Sequence, residues 1–225
     1  MKAVFSPDST ASVLVVGDVI LDRYVHGETS RISPEAPVPV VLVRQTEERP
    51  GGAGNVALNI SCLGLQVHLI GLTGQDPAAE ILERKLSQQS VICHFLQRKD
   101  FPTVTKLRVI SQHQQLIRLD YESRDGMAGN GDMFGLFRQE LDNARVVVLS
   151  DYAKGSLSRV QEYIAACKSA DRKVLIDPKG SDFQRYRGAG LLTPNLKEFE
   201  SIVGHCANQE DLVSRGQNLC NDLQL

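Results

Sequence analysis

The chain has 225 residues, of which 42% are hydrophobic and 23% are charged, and its formal net charge is -2. This length supports one sizeable core, or a core with a small appendage, and the lack of a basic excess argues against nucleic acid as a partner. The apolar run 13–16 is far too short to cross a membrane or to form the core of a signal peptide. We therefore expect a cytoplasmic protein that binds neither nucleic acid nor membrane.

The five cysteines are spread along the chain and never form a Cys-x-x-Cys pair. An odd number without that spacing argues against both a disulfide framework and a zinc site. We expect reduced, structural cysteines at Cys62, Cys93, Cys167, Cys206 and Cys220.

Short apolar runs that suit buried strands alternate along the chain with segments of helical period. The predicted strands are 13–16, 67–70, 145–149, 173–176 and 191–192, and the predicted helices are 54–63, 78–89, 158–170 and 195–203. This alternation predicts an α/β fold whose mostly parallel sheet is covered by helices on both faces.

Two stretches interrupt this alternation. Residues from about 23 to 49 hold two strand-like pieces around the proline-containing segment 33–39, with no helix between them. Residues 103–121 alternate in polarity about the polar turn 111–115, which is typical of a β-hairpin. We predict a protruding lid from the first stretch, with the second as a further candidate for part of it, and a loop at 123–130.

Polar residues follow four of the predicted strands. They are Asp18 and Asp22 after the first strand, then the segments 150–155, 177–180 and 193–198. Each segment alone is ordinary turn or helix-cap chemistry. In open parallel sheets, however, ligands bind beyond the carboxyl ends of the strands, so the recurrence favours one shared cleft.

The segment 50–57, Pro-Gly-Gly-Ala-Gly-Asn-Val-Ala, indicates what that cleft binds. Glycines let backbone N–H groups approach a ligand closely, and carboxylates accept hydroxyl protons, so the pattern favours a small, hydroxyl-rich substrate. Gly52-x-Gly54-x-x-Ala57 also matches a loose dinucleotide fingerprint. That fingerprint turns directly off a buried apolar strand, whereas 46–50 is polar, so hydride transfer is the less favoured interpretation.

Asn195 and Glu198 allow two interpretations that the spacing leaves open. Asn195 suits a helix N-cap, and Glu198 three residues later completes a capping box. A carboxylate at a helix start beside the cleft would also suit the water shell of a Mg²⁺ ion that bridges nucleotide phosphates.

Three short motifs follow one another along the chain: Gly17-x-x-x-x-Asp22, Gly51-Gly52-x-x-Asn55 and Asn195-x-x-Glu198. In these motifs and their order the chain resembles the ribokinase-like (PfkB-type) sugar kinases. Longer strings at 30–40, 115–120, 149–155 and 176–180 resemble the bacterial heptose 7-phosphate kinases of that family.

This resemblance implies a ribokinase-like α/β fold with a small β lid, and an ATP-dependent kinase. The implied reaction phosphorylates the anomeric O1 of D-glycero-β-D-manno-heptose 7-phosphate to the 1,7-bisphosphate, in the biosynthesis of ADP-heptose and the lipopolysaccharide core. The resemblance also implies a homodimer formed through the lid. In some relatives a nucleotidyltransferase domain follows the kinase domain.

Carried over residue by residue, the resemblance assigns candidate site residues. Those for the sugar are Asp18, Asp22, Gly51, Gly52 and Asn55, and charge alone makes Arg108 and Lys154 candidates for the 7-phosphate. Those for ATP are Lys179, Asn195, Leu196, Lys197 and Glu198, with Glu198 also organising Mg²⁺ through water.

The chain departs from the family in one respect. The Gly-Ala-Gly-Asp motif, whose aspartate acts as the catalytic base, does not occur in the 225 residues, so no catalytic residue is assigned and the base is expected beyond Leu225. We therefore expect residues 1–225 to be the N-terminal portion of one kinase domain, with its C-terminal part missing. The alternative is a non-catalytic, dimerising module that binds a sugar phosphate.

Overall fold

A computed structural model describes residues 12–123 and 133–225, so the loop predicted at 123–130 lies outside the described residues except for Ser123. In chain order the elements are β1 (Ser12–Gly17), β2 (Val19–Ile32), β3 (Pro39–Gly52), α1 (Ala53–Cys62), β4 (Gln66–Gly74), α2 (Pro77–Ser87), β5 (Val91–Arg98), β6 (Thr105–Ser111), β7 (Gln114–Tyr121), α3 (Met133–Leu141), β8 (Val146–Ser150), α4 (Val160–Ser169), β9 (Lys173–Asp177), a 3-10 helix (Phe183–Tyr186), β10 (Leu191–Leu192), α5 (Leu196–Val203) and α6 (Gln209–Leu223).

The central sheet has six strands in the order β10-β9-β8-β1-β4-β5, and every pairing in it is parallel. Leu14 and Val16 of β1 belong to a core shared with α3 and α4, whereas Val13 and Val15 belong to a second core shared with α1 and α2. Burying one such side chain contributes roughly 1.5–3 kcal/mol. The predicted α/β fold with helices on both faces is therefore confirmed.

Sequence patterns did not predict β5 or α3. β5 lies at the edge of the sheet and only Val91 of its residues is buried, so it lacks the apolar run that marks the inner strands. α3 is only nine residues long, which gives a helical period little room to repeat. None of the helices in the described ranges combines the length and hydropathy needed to cross a bilayer.

Both stretches considered for the lid lie in one four-stranded sheet, ordered β3-β2-β6-β7. β2 pairs with β3 in antiparallel fashion and with β6 in parallel, and β6 and β7 form a hairpin. The hairpin turns at Gln112 and His113, whose φ angles are 49° and 65°. Two successive positive φ values suit the right-handed twist of the flanking strands. This sheet, β2, β3, β6 and β7, is hereafter called the lid.

The glycine-rich segment follows a strand, but not the kind that the dinucleotide fingerprint requires. β3 runs directly into α1, and its residues 42–46 are exposed. Because this strand belongs to the antiparallel part of the lid, no buried parallel strand leads into the glycines.

Asp18 is the single residue between β1 and β2, and it contacts three parts of the fold. Its carboxylate is buried and accepts hydrogen bonds from three backbone N–H groups: Oδ2 from Tyr152 at 2.8 Å and Lys154 at 3.0 Å, and Oδ1 from Ser156 at 3.0 Å. Its backbone carbonyl accepts the N–H of Ala53, the first residue of α1, at 2.9 Å. One residue therefore fixes the lid base, the loop after β8 and the start of α1.

We expect Asp18→Asn to lower the free energy of unfolding by on the order of 2–4 kcal/mol, because hydrogen bonds to a charged acceptor contribute about 1.5–3 kcal/mol each and the new NH₂ group would face backbone N–H groups. Asp171→Asn is the matched control. Asp171 is exposed with φ 53°, a conformation that Asn tolerates, so its change should stay within about 0.5 kcal/mol. Urea unfolding measures both, and equal losses would contradict the role given to Asp18.

Candidate functional site

A cavity of about 640 Å³ lies between the lid and the first turn of α1. Five of the seven residues predicted to bind substrate line it: Asp22, Gly51, Gly52, Asn55 and Arg108. They come from three different elements, β2, the β3–α1 junction and β6. The fold thus brings together residues that are 86 positions apart in the case of Asp22 and Arg108.

The Asp22 carboxylate is held in place by its surroundings. Arg108 Nη1 donates to Asp22 Oδ1 at 2.6 Å, and the Arg108 guanidinium lies 5.1 Å from the centre of the Tyr24 ring. Burial would lower the pKa of Arg108, but the hydrogen bond and charge of Asp22 outweigh it and the pKa is raised. A Cβ atom at Gly51 would lie 2.2 Å from Asp22 Oδ2, so any other residue there would force this carboxylate to shift.

The junction between β3 and α1 also depends on glycine. Gly52 is the N-cap residue of α1 with φ 57°, and a Cβ atom there would lie 2.2 Å from the carbonyl oxygen of Asp18. Asn55 is exposed in the first turn of α1. Because this turn borders the cavity, the positive end of the helix dipole favours a polar or anionic ligand there.

Two predicted substrate residues lie outside the cavity lining. Asp18 is buried with its carboxylate oxygens occupied by three backbone N–H groups, so its carboxylate organises the loop after β8 rather than facing the cavity. Lys154 lies on that loop and its Nζ pairs with Glu122 Oε2 at 2.6 Å. Neither residue gains support from the geometry as a direct contact to the sugar or its phosphate.

Sequence reasoning missed several charged residues that line the cavity. The lining carries four cations and two carboxylates; Asp22 and Arg108 were predicted, and those missed are Arg49, Lys85, Lys106 and Glu48. In residues 12–123 and 133–225, neither Lys85 nor Lys106 has a carboxylate within salt-bridge distance. Lys106 is paired in register with Asp22, and its alternation with Arg108 along β6 was the signal that could have identified it. Lys85 comes from α2, and nothing in its sequence context marks it.

A second polar cluster lies at the carboxyl ends of β9 and β10. Asn195 and Glu198 form the capping box of α5, because Asn195 Oδ1 accepts the N–H of Glu198 at 3.0 Å and Glu198 Oε2 accepts the N–H of Asn195 at 3.1 Å. Lys179 Nζ donates to Glu198 Oε1 at 2.7 Å. Leu196 and Lys197 are exposed in the same turn. All five residues predicted to bind the nucleotide therefore lie together.

The pKa values of two carboxylates in this second cluster are shifted in opposite directions. Burial would raise the pKa of Glu198, but the hydrogen bonds from Lys179 and from the Asn195 N–H outweigh it and lower that pKa. The pKa of Asp177 is raised, first by burial and then by the negative charge of Glu198. Carboxylates that repel each other beside a helix start suit a hard divalent cation such as Mg²⁺, which prefers oxygen ligands. The residues present therefore fit the predicted metal.

Tyr152 connects the two clusters. It lines the cavity that contains Asp22, and its pKa is raised first by burial and then by the charge of Asp177. The charges of Asp22 and Glu198 raise it further, and that of Lys179 lowers it. Charged residues of both clusters therefore act electrostatically on this one ring.

Comparison with known proteins identifies the family. The model of the pfkB family carbohydrate kinases matches residues 10–223. The chain is 57% identical over 225 residues to the bifunctional protein HldE of Photorhabdus laumondii subsp. laumondii, and 54% identical over the same length to HldE of Vibrio cholerae serotype O1. These matches cover 100% of the chain but 48% and 47% of the two relatives, so the chain spans about half the length of the curated relatives it matches.

Solved structures show the same fold at low sequence identity. Arabidopsis thaliana ribokinase, solved with ribose and ATP, superposes with a TM-score of 0.72 at 18% identity, covering 95% of this chain and 69% of that one. The tetrameric inhibited form of Escherichia coli phosphofructokinase-2 gives 0.71 at 20% identity, with coverages of 95% and 70%. With the family model spanning nearly all of its residues, the chain belongs to the pfkB family of carbohydrate kinases.

Proposed function

We propose that this chain forms the sugar-phosphate and nucleotide sites of a kinase that transfers the γ-phosphoryl group of ATP to the anomeric O1 of D-glycero-β-D-manno-heptose 7-phosphate. One observation carries the proposal: the cavity holds the Asp22 carboxylate, fixed by Arg108, beside the ammonium groups of Lys85 and Lys106. Heptose is the sugar that the motif resemblance implies. The product would be the 1,7-bisphosphate used to make ADP-heptose.

The sugar side of the site suits a ligand with both hydroxyls and a phosphate. Asp22 Oδ2 is free of the Arg108 contact and can accept a hydroxyl proton, and hydrogen bonds to a charged group contribute about 1.5–3 kcal/mol each. Lys85 and Lys106 carry compact positive charges and form no salt bridge within the described residues, whereas Lys154 pairs with Glu122, so they are better candidates for the 7-phosphate than Lys154. Arg108 would orient Asp22 and add to the positive field.

The nucleotide side uses Lys179 and the start of α5. Lys179 is half-exposed and pairs with Glu198, so ATP phosphates would compete with Glu198 for its ammonium group. Release of that pairing would leave Glu198 Oε1 available to the water shell of Mg²⁺, near Asp177. Glu198 and Asp177 would hold a divalent cation there, which would supply positive charge to offset the negative charge of the phosphates. Asn195, Leu196 and Lys197 would form the rim beside the nucleotide.

The alternative function uses the same cavity without catalysis. It needs only the charged residues that line the cavity and no general base. A general base contributes on the order of 10²–10⁴-fold to a rate and is not required for binding. The two functions therefore differ in turnover and share the binding site.

We expect Asp22→Asn to weaken binding of heptose 7-phosphate by about 10–100-fold, because the hydroxyls lose a charged acceptor. Lys106→Met should weaken binding of heptose 7-phosphate by roughly tenfold but leave binding of unphosphorylated heptose nearly unchanged. Arg118→Met, which removes a cation paired with Asp120 on exposed β7, is the matched control and should bind both sugars like the parent chain. Isothermal titration calorimetry gives the affinities.

The same samples distinguish the two functions. With MgATP and heptose 7-phosphate, ADP release above the heptose-free rate would support the kinase, and tight sugar-phosphate binding without ADP release would support the binding module. Equal losses in Lys106→Met for both sugars, or a loss of the same size in Arg118→Met, would contradict the assignment of Lys106 to the phosphate.

We also propose that the chain forms a homodimer through the lid. All residues of edge strand β7 are exposed, and Ile117, Leu119 and Tyr121 alternate with Arg118 and Asp120 so that they share the lid face opposite Arg108. An exposed apolar face on an edge strand of this kind marks an interaction surface. A second copy of the lid would cover it.

We expect the parent chain to sediment as a dimer and Leu119→Glu to sediment as a monomer, because a carboxylate would have to be buried in the apolar contact. Leu191→Glu is the control, since Leu191 is exposed to a similar degree (48% against 41%) but lies on β10 of the central sheet. Analytical ultracentrifugation measures the masses. A monomeric parent chain, or dimers for both variants, would refute an interface at this face.

A further inference from the structure

Three metal-binding side chains converge outside the cavity, on the face of the central sheet that packs against α3. His68 of β4 is paired in register with Ile92 of β5, so His94, two residues further along β5, lies on the same face as His68. Glu140 reaches this pair from the last turn of α3. Each of the three residues places one ligand atom within 4.8 Å of those of the other two.

One ring nitrogen of this group, His68 Nδ1, has two close polar neighbours. His68 Nδ1 lies 3.0 Å from His94 Nε2 and 3.1 Å from Glu140 Oε2, and His94 Nδ1 lies 3.8 Å from Glu140 Oε1. A single ring nitrogen carries either one proton or one lone pair, so His68 Nδ1 cannot form a full hydrogen bond with both neighbours. One cation between the three groups would accept a lone pair from each of them.

We propose that His68, His94 and Glu140 bind a transition-metal dication of the zinc type. Zinc binds imidazole nitrogen at about 2.0–2.1 Å in tetrahedral geometry, which sets its ligand atoms roughly 3.4 Å apart. The distances of 3.0 and 3.1 Å at His68 Nδ1 are close to this spacing. Two imidazoles with one carboxylate form a recognised zinc ligand set, whereas Mg²⁺ and Ca²⁺ prefer oxygen ligands alone.

The surroundings of the three ligands support a bound cation. The side chains of His68, His94 and Glu140 are 16%, 24% and 18% exposed, so an ion can enter from solvent and a water can occupy the fourth position. Gln66 Nε2 lies 3.4 Å from His68 Nε2. Rotation of that amide places its oxygen there, where it would accept the Nε2 proton and hold the ring with Nδ1 towards the metal.

The position of Glu140 indicates what the metal would do. The last turn of a helix carries a partial negative charge that favours a cation, and Glu140 is the penultimate residue of α3. An ion at this point would cross-link α3 to β4 and β5, near the amino-terminal end of β4 and on the face of the sheet opposite α1 and α2. The expected effect is therefore on stability, and the cysteine spacing carries no information about such a site.

Equilibrium dialysis of the purified chain against Zn²⁺ tests the proposal. We expect the parent chain to bind one tight equivalent and His94→Asn to bind it more than tenfold more weakly, because losing a direct ligand should cost at least the roughly 10–100-fold that losing a second-shell partner costs. His205→Asn is the matched control. His205 forms a single pair with Glu200 at 2.9 Å on the surface, so its loss should leave the tight equivalent unchanged.

Co²⁺ absorption spectra separate this site from the free cysteines, since bound Co²⁺ should lack the thiolate charge-transfer band. Glu140→Gln keeps the shape of the side chain but removes its charge, so Zn²⁺ should raise the melting temperature of the parent chain and not that of the variant. Equal zinc affinity in His94→Asn and the parent chain would overturn the proposal. So would a thiolate band in the tight Co²⁺ complex, or an equal thermal shift in Glu140→Gln.

Discussion

The buried carboxylate of Asp18 is the interaction on which the rest of the site depends. Three backbone N–H groups of the loop after β8 converge on it, and the first N–H of α1 binds its carbonyl. A buried carboxylate without such donors would be very costly, so the loop is required to adopt the one conformation that satisfies it. That conformation fixes the position of Tyr152 in the cavity lining. The start of α1 fixes the positions of Gly52 and Asn55 in the same lining.

The position of the lid also depends on Asp18. Only Asp18 separates β1 of the central sheet from β2 of the lid, so the strand that carries Asp22 leaves the core without an intervening loop. Because side chains alternate along β2, Asp22 and Tyr24 face the same side, and the pairing of β2 with β6 adds Lys106 and Arg108 to that side. This direct connection fixes where the charged residues of the cavity lie relative to the central sheet.

Local sequence patterns predicted the elements and motifs well and the long-range pairings poorly. The apolar strands, the capping box of Asn195 and the glycine segment each carry their signal within a few residues. Asp18 and Asp22 look alike in sequence, and only the loop after β8, more than 130 residues away, separates the structural carboxylate from the one facing the cavity. The packing of α2 places Lys85 in the cavity lining. His68, His94 and Glu140 lie close together only because β5 and α3 pack on β4. No local pattern contains such information.

The two carboxylates at the end of β9 and in the first turn of α5, Asp177 and Glu198, have opposite effects on how stability changes with pH. The lowered pKa of Glu198 means that its contribution to stability is complete above its unfolded pKa and is lost as the pH falls through the lower folded value. The raised pKa of Asp177 acts in the opposite sense, since protonation relieves its burial and its repulsion by Glu198, and that relief is lost as the pH rises through the folded value. At neutral pH the Asp177 charge therefore remains an unfavourable term in the free energy of folding. A divalent cation bound beside both carboxylates would remove that term without a proton, so occupation of the site and stability of the surrounding strand ends are thermodynamically linked.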